Sequence, residues 1–177
     1  VDLLRPGAVL DGVEIADLDL EAADLRGVEL VDCTFTRCNL SRANLADVRI
    51  SGLRLVGCKA LGVAWGMVRP AGLVADPWVV TDSRLDDSSF GGVDLTEARF
   101  TDCRLTGVDL AEADLTRAVL AGCDLSGARF VRTRLSGTDL RGSNGMSIDL
   151  RENDARGLRI DPAAALDLLA PFGVVVD

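Results

Sequence analysis

Every fifth residue is large and apolar over most of this chain, and few backbones can satisfy that spacing. Positions 10, 15, 20 and onward to 55 read Leu, Ile, Leu, Leu, Leu, Phe, Leu, Leu, Ile, Leu, and positions 85 to 140 at the same interval are again all Leu or Phe. All 22 sites carry Leu, Ile or Phe although those types total 36 of 177 residues, so a shuffled chain would place about four or five there. In a helix five residues advance about 500°, so the column would spiral around every face. In a long strand an odd spacing would throw successive large residues to opposite sides of the pleat. A unit that is extended and then bends, the same way each time, keeps them all on one side. Such a chain winds into a coil, and stacked coils pair their backbones at about 4.8 Å.

A second column sits two residues earlier and is filled by small or slim residues, among them Ala23, Val28, Cys33, Cys38, Ala98, Cys103, Ala113 and Cys123. Residues two apart share a side in extended chain, so both columns point inward together. Units such as Ala23-Asp24-Leu25, Ala43-Asn44-Leu45, Ala113-Asp114-Leu115 and Thr138-Asp139-Leu140 give the pattern A-(D/N)-L-x-x. Over residues 13 to 57 and 83 to 142 the chain therefore resembles the pentapeptide-repeat family. The resemblance implies an all-β solenoid, a right-handed quadrilateral β-helix with four units to a coil. Six or seven coils would make a rod about 30 Å long.

The pattern fails between residues 59 and 82, which carry both Trp residues and two of the five Pro, yet it returns on the same multiples of five. A kept frame argues for one domain over 1–177, with repeat arrays at 8–58 and 83–160 on either side of a deformed coil or a projecting loop. Trp65 falls in the large column and reads as core. Beyond Leu140 the repeat decays, and Asp161-Pro162 before an apolar run ended by Pro171 and Gly173 predicts a short helix with Asp161 as N-cap. Residues 161–177 would form a helix-and-strand cap in which Leu166, Leu169 and Phe172 face the open coil and Val174, Val175 and Val176 add a strand. In this segment the chain resembles the quinolone-resistance members of the family, the Qnr and MfpA types, which end similarly and pair through it, so the resemblance implies a homodimer through the C-terminus.

The chain has no His, which removes the commonest general base, the Ser-His and Cys-His nucleophile pairs and most zinc sites. The five Cys all occupy the small inward column without any CxxC spacing, and so read as slim hydrophobes, reduced and unpaired. Inward Ser83, Ser88, Thr133 and Thr138 read as bonding to backbone at the bends. No Gly-rich phosphate loop follows a strand. No catalytic residue, cofactor or metal is expected, and the chain reads as a non-enzyme.

Charge sets the expectations about partners. The net charge is −9 and the basic residues are 18 Arg and one Lys. Repulsion disfavours direct binding to nucleic acid or an anionic membrane, and no apolar stretch is long enough for a span, so a cytoplasmic context is expected. Residues 1 to 32 hold nine acids against two Arg and residues 76 to 97 hold six against one, whereas 98 to 142 is nearly balanced. An acidic rod of about duplex width could occupy a basic DNA channel in place of phosphates. The family resemblance supplies a target, because Qnr-type and MfpA-type members bind DNA gyrase, a type II topoisomerase. The expected partner is thus gyrase or another basic nucleic-acid-binding protein, met through Asp76, Asp82, Asp86, Asp87, Asp94 and Glu97. A protein-interaction scaffold or self-immunity factor with a different partner is the alternative.

Overall fold

Repeated bending is visible directly in the backbone dihedrals of the computed structural model, which describes residues 2–70, 76–169 and 173–174. Outside the irregular coil, the residue two after each multiple of five takes a left-handed φ, from Gly7, Gly12 and Asp17 onward through Arg132, Gly137 and Gly142. About half of these corner residues are Gly, which meets no Cβ penalty there, and Asp leads among the others. Many units carry a second brace. The Asp or Asn before the large residue accepts the backbone N–H two residues on, as Asp94 does from Thr96 at 3.0 Å, Asp114 from Thr116 at 2.9 Å and Asn39 from Ser41 at 3.2 Å. The acidic position of the repeat is therefore a turn-maker as well as a solvated group.

Between corners the chain is extended for two or three residues, and each extended piece pairs in parallel with the piece one coil later. The strands are β1 (Val9–Asp11), β2 (Glu14–Ala16), β3 (Glu29–Val31), β4 (Thr34–Thr36), β5 (Arg49–Ser51), β6 (Arg54–Val56), β7 (Arg69–Pro70), β8 (Val79–Thr81), β9 (Arg99–Thr101) and β10 (Val119–Ala121). They form two sheets, β1-β3-β5-β7 and β10-β9-β8-β6-β4-β2. With single-residue bridges added, the second side of the coil runs unbroken through positions 14, 34, 54, 79, 99, 119, 139 and 159. These eight positions name the rungs, one to eight. The third side runs through 19, 39, 59, 84, 104, 124 and 144, and the fourth holds 24 with 44 and then 64, 89, 109 and 129. The chain is an all-β solenoid with four sides to a coil.

Register locates the irregularity. Paired positions such as 34 and 54, or 79 and 99, stand four units apart throughout, except for 54 with 79, 59 with 84, and 64 with 89, which stand five units apart. The irregular coil thus holds one whole extra unit, which is why the frame survives. The first side breaks at this level, since no described pairing joins Arg69 to Asp94. Pro70 explains the break. In regular rungs the large-column amide donates to the next coil, as Leu95 N–H does to the Asp114 carbonyl at 2.8 Å, and proline has no N–H to give. Just before the break the coils approach closely at Gly66, where a Cβ would stand 2.8 Å from the Gly91 carbonyl oxygen.

Inside the coil the large column forms the core. Each of its residues from 10 to 55 and from 85 to 140 is at most 5% exposed. Burial of each such side chain contributes about 1.5–3 kcal/mol. At the irregular coil the ladder of Leu gives way to aromatic rings, with Trp65 edge-on to Trp78 at 5.3 Å and stacked on Phe90 at 6.0 Å. All five Cys are buried and unpaired. They share the slim column with hydroxyls whose donors go to backbone carbonyls: Ser83 to Thr81, Ser88 to Ala60, Thr133 to Leu110 and Thr138 to Leu115, all at 2.7–2.8 Å.

The stack ends differently at each extremity. After rung seven Gly145 takes the large-column place, and Met146 and Ile148 fill the interior instead. The helix α1 (Pro162–Asp167) follows, with Pro162 in its first turn. Asp161 occupies the N-cap position, but its carboxylate makes no capping bond and accepts the Gly142 N–H at 2.6 Å instead. Leu168 closes onto the core, whereas Leu166 is half exposed and Leu169 half-buried. Val174 is also half exposed, and Phe172, Val175 and Val176 lie outside the described residues.

Candidate interaction surface

Since the interior is closed, the outward positions carry whatever chemistry the rod has. The six acids singled out by sequence density do not assemble on one side. Asp76 and Glu97 share a groove at the corner between the first and second sides, together with Asp32, Arg54 and Arg99. Asp82 sits at the next corner, between Val79 and Arg84, and Asp87 at the one after, between Arg84 and Ser89. Asp94 projects from the first side. The linear cluster is spread around the rod because four units make a full circuit.

Asp86 is removed from the surface altogether. It is 6% exposed, with Arg104 Nε 2.6 Å from Oδ1 and Arg84 Nε 3.3 Å from Oδ2. A partner cannot reach this carboxylate without displacing two guanidinium groups. Glu97 remains exposed but is held by Arg117 Nε at 2.8 Å. Asp76, Asp82, Asp87 and Asp94 are accessible and form no ion pair among the described residues.

Arginine is the residue type that counting acids overlooked. Many Arg side chains reach an acid one coil away, as Arg37 reaches Asp17 at 2.6 Å, Arg129 reaches Asp109 and Arg134 reaches Asp114, both at 3.0 Å. Arg42 with Glu21 and Arg132 with Glu112 follow the same rule. Others fold back within a unit: Arg141 onto Asp139 and Arg151 onto Asp149. There Arg141 and Arg151 hold the carboxyls of Asp139 and Asp149 down to about 2. Each exposed pair adds little stability because solvent screens it, but it offsets charge that would otherwise face a partner. The signal was present in the sequence as Arg spaced four units from an acid, and only the length of the coil makes that spacing meaningful.

The described residues hold no group of three or more His, Cys, Asp or Glu placed to bind a metal. Burial pushes the Cys33 and Cys58 thiols up, away from the reactive thiolate. Among the described residues no helix is long and apolar enough to cross a membrane.

The family model for pentapeptide repeats matches eight copies in this chain, over residues 23–59, 80–110 and 109–144. The chain belongs to the pentapeptide-repeat family. Among solved pentapeptide-repeat structures, one trypsin-treated variant of QnrB1, a plasmid-mediated fluoroquinolone resistance protein, superposes with a TM-score of 0.73 at 20% identity, covering 100% of this chain and 95% of that one. A second trypsin-treated variant gives 0.70 at 22% identity, covering 97% and 91%. Full-length QnrB1 gives 0.50 at 21% identity, covering 96% and 92%. No curated protein matches by sequence. At these identities the likeness establishes the pentapeptide-repeat fold.

Proposed function

We propose that this pentapeptide-repeat protein is a non-enzymatic, cytoplasmic binding protein whose target is a type II topoisomerase, DNA gyrase foremost. It would stand in for DNA on the enzyme and so modulate supercoiling or protect against fluoroquinolones. The observation that carries this reading is the extent of the shape likeness. The rod follows that of a fluoroquinolone resistance protein over nearly the full length of both chains. Charge supports it at a smaller scale. Asp76, Asp82, Asp87 and Asp94 are accessible without ion pairs among the described residues and could substitute for phosphates, whereas Asp86 drops out because it is buried. The exposed Leu166 and Val174 near the C-terminus support pairing of two copies there.

A second reading, an interaction scaffold for another partner, is favoured by one observation. Rung-to-rung arginines pair with a large share of the carboxylates, so the rod is less phosphate-like than its 28 acids suggest.

The deciding experiment titrates the protein into gyrase with relaxed plasmid, with and without a fluoroquinolone. Inhibition of supercoiling or rescue from the drug, lost on adding salt and weakened by Asp82→Lys with Asp87→Lys, is the expected result. No effect at protein in excess over gyrase would hand the question to the scaffold reading.

A further inference from the structure

The two ends of the rod differ in how well they are closed, and the N-terminal end carries features of a docking edge. β1 and β2 are the terminal strands of their sheets, each paired on one side only. Rung two sends the amides of Glu29, Thr34, Asn39 and Asn44 down to the carbonyls of Ala8, Val13, Leu18 and Ala23. The equivalent amides of Glu14, Asp19 and Asp24 point away from rung two and find no backbone acceptor among the described residues. The slim column shows the same incompleteness. Val13, Leu18 and Ala23 are only partly covered, whereas Cys33, Cys38 and Ala43 one coil later are buried, at 0%, 2% and 6% exposed. A short turn at Asp2–Leu4 plugs the centre with Leu4 but leaves Leu3 and Val9 at 52% and 68% exposed.

Around this edge runs a rim of acid. Asp11 and Glu14 have no ion pair among the described residues, and Asp19 accepts from the Asn39 side chain and the Glu21 amide but meets no cation there. Elsewhere the molecule shows what suits such a rim, because acids on one rung are met by arginines on the adjacent rung, as in Asp17 with Arg37 and Glu29 with Arg49. Asp11 and Glu14 face Val31 and Thr34 above, so rung two offers them no cation.

We propose that the N-terminal edge takes an extended, cationic segment of a partner protein as an added strand. The segment pairs its backbone with the free amides of rung one, covers Val13 and Leu18 with apolar side chains and sets Lys or Arg against Asp11, Glu14 and Asp19. A second copy docked edge to edge would bring two acid rims within one rung spacing, about 4.8 Å, which charge forbids. The site is separate from the side-facing acids, so it stands whether or not gyrase is the partner.

The test uses the chain of 177 residues and, as probe, a peptide of about ten residues alternating lysine and valine, long enough to lie along one side of the coil. Its glutamate–valine counterpart is the control. Binding is followed by amide hydrogen exchange resolved by NMR. The expected result is saturable, salt-weakened binding that slows exchange at Glu14, Asp19 or Asp24 about ten-fold or more and leaves Leu110 unchanged. Glu14→Lys should weaken binding roughly ten-fold, and Asp11→Lys serves if that variant fails to fold. Four results would overturn the proposal: no binding, binding with unaltered exchange at the edge, equal binding of the glutamate peptide, or indifference to the rim variants. Protection of the same amides on concentrating the protein alone would overturn it too, making a second copy the occupant.

Discussion

Rungs five to seven and the coil between rungs three and four obey the same five-residue frame and reach different interiors. In the regular part, buried Leu105 and Leu125 stand in register one coil apart, as do Leu115 and Leu135, and the pairing of each side continues. In the irregular part, an extra unit and Pro70 break the first side, and Trp65, Trp78 and Phe90 replace the aliphatic ladder. The other three sides carry their pairing straight across. A solenoid therefore tolerates a local lesion when it arrives as a whole unit, because each rung contacts only its neighbours.

The sharpest way to break the regular part is Leu110→Asp. Leu110 is 3% exposed, and a carboxylate there has no cation within reach of the interior, so the variant should lose more than about 4 kcal/mol and fail to give a cooperative β-sheet melt by circular dichroism. In the irregular coil Trp65→Ala should cost about 3–5 kcal/mol by urea unfolding, with the emission of Trp78 shifted to the red as its neighbour is lost. Gly66→Ala should cost about 1–3 kcal/mol, since the added methyl meets the Gly91 carbonyl and backbone cannot step aside as a side chain could. Removing the unit 71–75 entire should leave the rod folded within about 1 kcal/mol of the parent, because the pairing of 54 with 79 returns to the ordinary four-unit spacing. If that deletion instead unfolds the protein, the extra unit is part of the core and the comparison fails.

The smallest effect belongs to the surface bracing of the regular part. Arg141 holds the Asp139 carboxyl at about 2, below its ordinary value. A depressed folded-state value means that ionised Asp139 stabilises the rod above about pH 4 and that the contribution fades as the pH falls towards about 2. Asp139→Asn should therefore narrow its stability difference from the parent as acid is added, read from urea midpoints between about pH 5 and about pH 2.5. A difference independent of pH would mean that Arg141 does not hold the carboxylate in solution.

Much of this was legible beforehand, for a physical reason. The interior of a coil one unit wide admits only one kind of side chain at each place, so Leu10, Phe35, Leu110 and the inward cysteines announce themselves by spacing alone. The outside has no such constraint. Sequence density grouped Asp76 through Glu97 as a patch, and the circuit of the coil dispersed them over three corners and a side. It also treated Asp86 as a contact, although two arginines, one of them from the following coil, bury it.

The chain by itself determined the repeat, the inward columns, the bends and the absence of imidazole chemistry, since these follow from which residues recur and how often. Only the tertiary structure decided which acids are paired with an arginine on the next coil, where the extra unit interrupts one side, and which amides of rung one find no backbone acceptor among the described residues. Those properties depend on what lies across the gap between coils, and neighbours across that gap are far apart in sequence.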